Sequence, residues 1–140
     1  MDGERVLLVR HCKPEEYDFL VLPGGGVNPK EDALAAAKRE VWEEAGLFVE
    51  PLRLAYVEET QLAEMRECKM WFFCTGFSET LSVAAHEAQR EHIVEANFYS
   101  RAEIQGKVVF PPILFTDEFW QNASQGFSQT EYLGLREREF

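Results

Sequence analysis

The chain is short of several things, and each shortage removes a class of function. No apolar run approaches the length that crosses a bilayer as a helix. Cysteine occurs three times, at Cys12, Cys68 and Cys74. The number is odd and no CxxC pair exists, so neither a disulfide framework nor a zinc site is expected. Free thiols fit a reducing cytoplasm, and the opening MDGERVLL has no secretory signal pattern. Positive charge is scarce: 14 Lys and Arg stand against 25 Asp and Glu, a net charge of −11. Such a surface repels phosphate backbones, which argues against a nucleic-acid polymer as partner. There is no internal repeat and no low-complexity linker.

What is present suits one globular domain. The 140 residues are 46% hydrophobic, enough for a sizeable core and too apolar for a disordered chain. RVLLVRH (5–11) and DFLVLP (18–23) read as strands around a polar turn. LRLAYVEET (52–60), KMWFFCTGF (69–77) and HIVEANFYS (92–100) read as three more, the middle one apolar on both faces. A helix is expected from about residue 29 to 45, with Asn28 as N-cap, Pro29 at N1, Glu31 at N3 of a capping box and Gly46 as the C-terminal glycine. SRAEIQ reads as the start of a short helix, 111–123 as a second long helix and 78–91 as a loop, while the tail is amphipathic and ambiguous. Hairpin-like spacing of the strands points to a mixed sheet with helices packed on it, an α/β architecture that is not doubly wound.

Chemistry concentrates between Gly25 and Leu47. REVWEE puts Glu40, Glu43 and Glu44 within a sector of about 100° on the helix, with Ala33, Ala36 and Ala37 on the same side. Leu34, Val41 and Ala45 form the neighbouring apolar stripe, expected to face the sheet. Like charges at i,i+3 and i,i+4 cost a helix roughly 0.2–0.5 kcal/mol per pair. A divalent cation turns that repulsion into attraction, and three clustered carboxylates are the hard oxygen donors that Mg²⁺ takes. Taken singly, each residue has a plainer reading. Glu31 completes a capping box, Gly46 caps a helix, Arg39 pairs with Glu43 at i,i+4, and a run of glutamates is a solvated face.

The joint spacing decides between these readings. Gly25, Glu31, Arg39-Glu40-Val41, Glu43-Glu44, Gly46 and Leu47 match G-x5-E-x7-R-E-U-x-E-E-x-G-U at every fixed position. Seven fixed letters coincide by chance in a given window on the order of once in 10⁸. The sequence therefore resembles the Nudix hydrolases. The resemblance implies a Nudix fold, an α/β/α sandwich over the whole chain. It also implies Mg²⁺-dependent hydrolysis (Mn²⁺ as a substitute) of a nucleoside diphosphate linked to a moiety X, releasing a nucleoside monophosphate and phosphoryl-X. The alternative is a Nudix-fold module that binds a nucleotide or regulates without turnover.

Site roles follow from the same resemblance. Glu40, Glu43, Glu44 and the backbone carbonyl of Gly25 are the implied metal ligands. Gly24, Gly25 and Gly26, braced by Glu31, form the implied phosphate loop. Arg39 orients the glutamates, and the implied catalytic set is Glu40, Glu43, Arg39 and, from outside the motif, Glu95. Glu95 stands three residues before Phe98, like the glutamate that often precedes an aromatic near the fifth strand of Nudix proteins; Glu91 is less well placed. Trp71 and Phe73 read as core before nucleobase platforms, and His11, His86 and His92 have no partner at ligand spacing. Asn28 and Lys30 replace the Glu and Gly common in this loop, at positions that vary. Many members also carry a further strand before the one resembling RVLLVRH. Its absence implies an uncovered sheet edge, or one covered by the tail or by a second copy in a homodimer. No NADH-type SQPWPFPxS is present, and Pro51 is the only proline between Gly46 and Lys69. The substrate is thus left open among ADP-ribose, dinucleoside polyphosphates, oxidised nucleoside triphosphates and nucleotide sugars.

Overall fold

The structure is a computed structural model that describes residues 1–76 and 80–138. Its strands are β1 (Arg5–Lys13), β2 (Tyr17–Val21), β3 (Glu50–Leu62), β4 (Met65–Thr75), β5 (Ile93–Ser100), β6 (Val109–Phe110) and β7 (Glu131–Arg138). The helices are α1 (Ala33–Ala45), α2 (His86–Arg90) and α3 (Asp117–Ser124), with one 3₁₀ turn at Pro112–Phe115. The strands form two sheets, ordered β5-β1-β2-β6 and β4-β3-β7. The parallel pairs β2–β6 and β3–β7 make each sheet mixed.

Alternation along β1 builds the layers. Leu7 and Val9 point to one face, where they meet Val41 and Ala45 of α1, Ala88 of α2, and Leu47, Val49 and Ile93. Val6 and Leu8 point to the other, joining Leu20, Tyr56, Ile104, Leu114, Phe119 and Phe127. Helices thus cover both sides, the α/β/α arrangement expected. Each side chain of this size removed from water contributes about 1.5–3 kcal/mol. No helix among the described residues is long and apolar enough to cross a membrane.

Several elements differ from the sequence reading, for local physical reasons. Helix α1 starts four residues late. Lys30 has a left-handed φ of 69°, which a helix cannot pass through, and Asp32 is the N-cap, its carboxylate accepting from the Ala35 N–H at 2.8 Å. The reciprocal Asn28–Glu31 contact survives as a turn: the Glu31 N–H donates to the Asn28 carbonyl at 3.1 Å and the Asn28 N–H to the Glu31 carboxylate at 3.0 Å. Gly46 does end the helix, at φ 75° with its N–H on the Trp42 carbonyl, and Leu47 behind it is buried. Leu34 leaves the apolar stripe and is 47% exposed. SRAEIQ is a run of turns, and the long helix read from 111 resolves into the 3₁₀ turn and α3, restarted by the Thr116 cap. The stretch read as a loop holds α2, with residues 78 and 79 outside the described set, as Phe77 of the strand read at 69–77 also is.

The tail becomes β7 and lies parallel along β3. Strand β1 is internal, flanked by β2 and β5. The uncovered edge expected beside β1 is therefore not there: both of its sides are paired.

Candidate active site

Arg39 organises the site. Its Nε and Nη2 donate to the two Glu31 carboxylate oxygens at 2.8 and 3.0 Å, a bidentate pair. Nη1 donates to Glu40 Oε1 at 2.9 Å and Glu43 Oε2 at 3.0 Å, and Nη2 also reaches the Gly26 carbonyl at 2.9 Å. One guanidinium thus joins the glycine loop, the turn before α1 and the glutamates of α1. A lysine has no such planar fork. The Arg39 hydrogen bonds, helped by the Asn28 N–H, hold the Glu31 carboxyl below its usual pKa.

Glu44 lies deepest. It is 2% exposed, and the Gly24 N–H donates to its Oε1 at 2.8 Å. Burial pushes its pKa up to about 8; the Gly24 bond works against this, and the charges of Glu91, Glu40 and Glu43 add to it. Burial likewise raises Glu40, with Arg39 opposing. Gly25 presses on the same cluster: a Cβ built there would stand 2.5 Å from Glu40 Oε1. Only glycine lets the loop backbone pass so close to a carboxylate.

The structure brings Gly24, Gly25, Gly26, Glu31, Arg39, Glu40, Glu43 and Glu44 into one constellation. Among the described residues, no three ligating side chains converge as a ready cation cage. Glu40 and Glu43 turn toward Arg39, and Glu44 toward the loop N–H. The donor set still suits a hard divalent cation: three carboxylates on one helix flank, two with raised proton affinity, beside a backbone that no Cβ obstructs.

Glu95 is not brought to this cluster. A bulge at Val94 shifts the β1–β5 register from His11↔Ile93 to Arg10↔Glu95. Glu95 thereby faces away from α1, 3.8 Å from Arg10 and accepting from the Tyr99 hydroxyl at 2.7 Å. Glu91 is the later carboxylate whose charge bears on Glu40 and Glu44. Sequence spacing ranked these two the other way, and no residue type marks the bulge.

A cavity of about 750 Å³ opens beside the cluster, reached by Gly25, Glu40 and Glu44 at one part and Trp71, Tyr56 and Phe127 at another. Consecutive β4 residues line it, so it wraps that edge strand. Trp71 and Phe73 pack against the core as expected, although the Trp71 indole N–H is buried without a hydrogen-bond partner among the described residues. His11 also lines the cavity, with its ring stacked on Phe19 at 5.1 Å.

The profile of the NUDIX domain family matches residues 1–119. The chain belongs to the Nudix family. Among curated proteins it is 43% identical over 58 residues to the mouse 8-oxo-dGDP phosphatase NUDT18, a match covering 41% of this chain and 18% of that protein. It is 42% identical over 59 residues to the rat diphosphoinositol polyphosphate phosphohydrolase 2, covering 41% of this chain and 31% of that protein. The chain thus corresponds to less than a third of the length of either relative. In structure it resembles the MutT protein of Bacillus halodurans, with a TM-score of 0.71 at 16% identity over 99% of this chain and 85% of that one. That likeness supports the Nudix fold and leaves chemistry to the site.

Proposed function

We propose that the chain is a cytoplasmic, Mg²⁺-dependent Nudix pyrophosphohydrolase acting on nucleoside diphosphate derivatives, with Mn²⁺ as a substitute cation. The observation that carries this reading is the Arg39 clamp. One guanidinium fixes the loop and three glutamates at once, while Glu44 is buried against the loop N–H. A helix that only packed would not bury a carboxylate whose pKa rises to about 8.

Glu40, Glu43, Glu44 and the Gly25 carbonyl would hold the cation, which when bound neutralises the diphosphate and polarises its phosphoryl oxygens. The chain's own groups supply the rest. The Gly24–Gly26 loop admits a phosphate to within backbone reach. Arg39 and Glu31 keep the loop and α1 in register. Glu91 adds a carboxylate from the turn before β5, and with Glu40 it is a candidate to take a proton from the attacking water. Water attacks phosphorus in line, and the bond to the bridging oxygen breaks.

The similarity to NUDT18 makes 8-oxo-dGDP the first substrate to try. ADP-ribose, a dinucleoside polyphosphate and a nucleotide sugar complete the panel. Product release with Mg²⁺ that falls at least about 100-fold in Glu44→Gln supports the enzyme. Silence across the panel, with nucleotide binding retained, supports the regulatory module. Any homodimer must use a surface other than the edge of β3 that β7 occupies, and light scattering reads the mass.

A further inference from the structure

The turn that carries Glu91 is tied down from one side. Helix α2 ends at Arg90, and the Glu91 N–H donates to the Glu87 carbonyl at 3.1 Å. His92 follows at a left-handed φ of 59°, a conformation uncommon outside glycine although histidine is among the residues that take it more often. Two contacts from β1 meet this turn. The Cys12 N–H donates to the His92 carbonyl at 3.0 Å, and His11 Nδ1 lies 3.2 Å from the Glu91 carbonyl. A carbonyl only accepts, so Nδ1 carries the hydrogen, and in the neutral ring Nε2 is then bare. The ring is fixed in turn: it lies 5.1 Å from Phe19 at 8° interplanar angle, its cross-strand neighbour. His11 also shares its β1 face with Leu7 and Val9, the face that packs on α1.

We propose that His11 is a positioning residue: its Nδ1–H holds the Glu91 backbone so that the Glu91 carboxylate is presented to Glu40 and Glu44. The proposal rests on the reading above in which Glu91 works with those glutamates. Two features support it independently of that reading. Burial lowers the His11 pKa, with the Glu91 carbonyl bond and the Glu91 charge opposing, which favours the neutral ring that donates from Nδ1 alone. The bulge at Val94 directly follows this anchored turn and puts Glu95 on the opposite face of β5 from Ile93, beside Arg10.

Two substitutions separate the hydrogen bond from the ring. His11→Phe keeps an aromatic ring on Phe19 and removes the donor. His11→Asn loses the ring and places an amide N–H near the position of Nδ1. With 8-oxo-dGDP (or the panel member that is turned over) and Mg²⁺, His11→Phe lowers kcat by about tenfold or more, with KM changed less than about twofold. His11→Asn returns kcat to within about threefold of wild type. Both keep a cooperative melt, since a loss by unfolding moves activity and Tm together.

Glu91→Gln is the control. Wild-type turnover in Glu91→Gln overturns the role of Glu91, and the proposal with it. An impaired Glu91→Gln beside an unimpaired His11→Phe overturns the proposal alone. Equal loss in His11→Phe and His11→Asn assigns the effect to stacking and overturns it as well. A ¹⁵N–¹H correlation spectrum of the wild-type protein needs no substrate: a proton on His11 Nδ1 supports the proposal, and a proton on Nε2 overturns it.

Discussion

Gly25 shows how tightly single residues are specified here. Gly25→Ala would set a methyl carbon 2.5 Å from one Glu40 oxygen and 2.6 Å from its carboxyl carbon. Something must move. The Glu40 carboxylate is the end of a flexible side chain, but Arg39 holds it at 2.9 Å, so swinging it aside breaks a charge-assisted bond. The fold has other anchors, so the expected stability loss is about 1–2 kcal/mol by urea denaturation. Turnover should fall about 100-fold, the effect of displacing a catalytic group by about 1 Å. An alanine variant with wild-type kcat would mean that Glu40 need not stand where it does. The residues of this cluster were legible because the motif fixes them along the chain, and a helix converts fixed spacing into a shared flank. His11 and Glu91 were not. Their meeting depends on strand pairing and on the bulge at Val94, neither of which has a signature in residue type.

At the scale of elements, the ends of α1 carry the clearest test. The sequence marks Asn28 as the cap, and the structure marks Asp32. Asp32→Ala removes the acceptor for the Ala35 N–H and should cost about 1 kcal/mol in chemical denaturation. Asn28→Ala keeps the backbone N–H that Glu31 accepts, and should cost under about 0.5 kcal/mol. The reverse order would show that the helix begins at Pro29 in solution. Both sites fit cap chemistry, and what separates them is the left-handed Lys30 between, which sequence does not reveal. The other elements divide the same way. Short runs rich in apolar and β-branched residues marked β1, β2, β3, β4 and β5, because a strand buried on one or both faces needs them. The tail was ambiguous because β7 pairs with a strand about 75 residues earlier, so its character comes from a distant partner.

At the scale of the whole molecule, charge and cation are linked. The chain carries a net charge of −11 and crowds Glu40, Glu43, Glu44 and Glu91 near one another, with Arg39 the cation that bonds the first two. Without a divalent cation, burial holds the Glu44 carboxyl up to a pKa of about 8, well above its unfolded value. A carboxyl with a raised folded pKa contributes stability at low pH and loses it as pH rises through the folded value. Above pH 8 the ionised cluster therefore weakens the fold, and a cation that binds the ionised form returns that stability. Binding only to the folded state stabilises it by RT ln(1 + [L]/Kd), about 2.7 kcal/mol at a hundred times Kd. Tm should therefore rise by several degrees with MgCl₂ at pH 8.5. NaCl at the same ionic strength screens repulsion generally and should raise it less. The MgCl₂ increment over NaCl should shrink in Glu44→Gln, which has no charge there to offset. Equal effects of the two salts on the wild-type protein would show that general screening, and no specific site, accounts for the stabilisation.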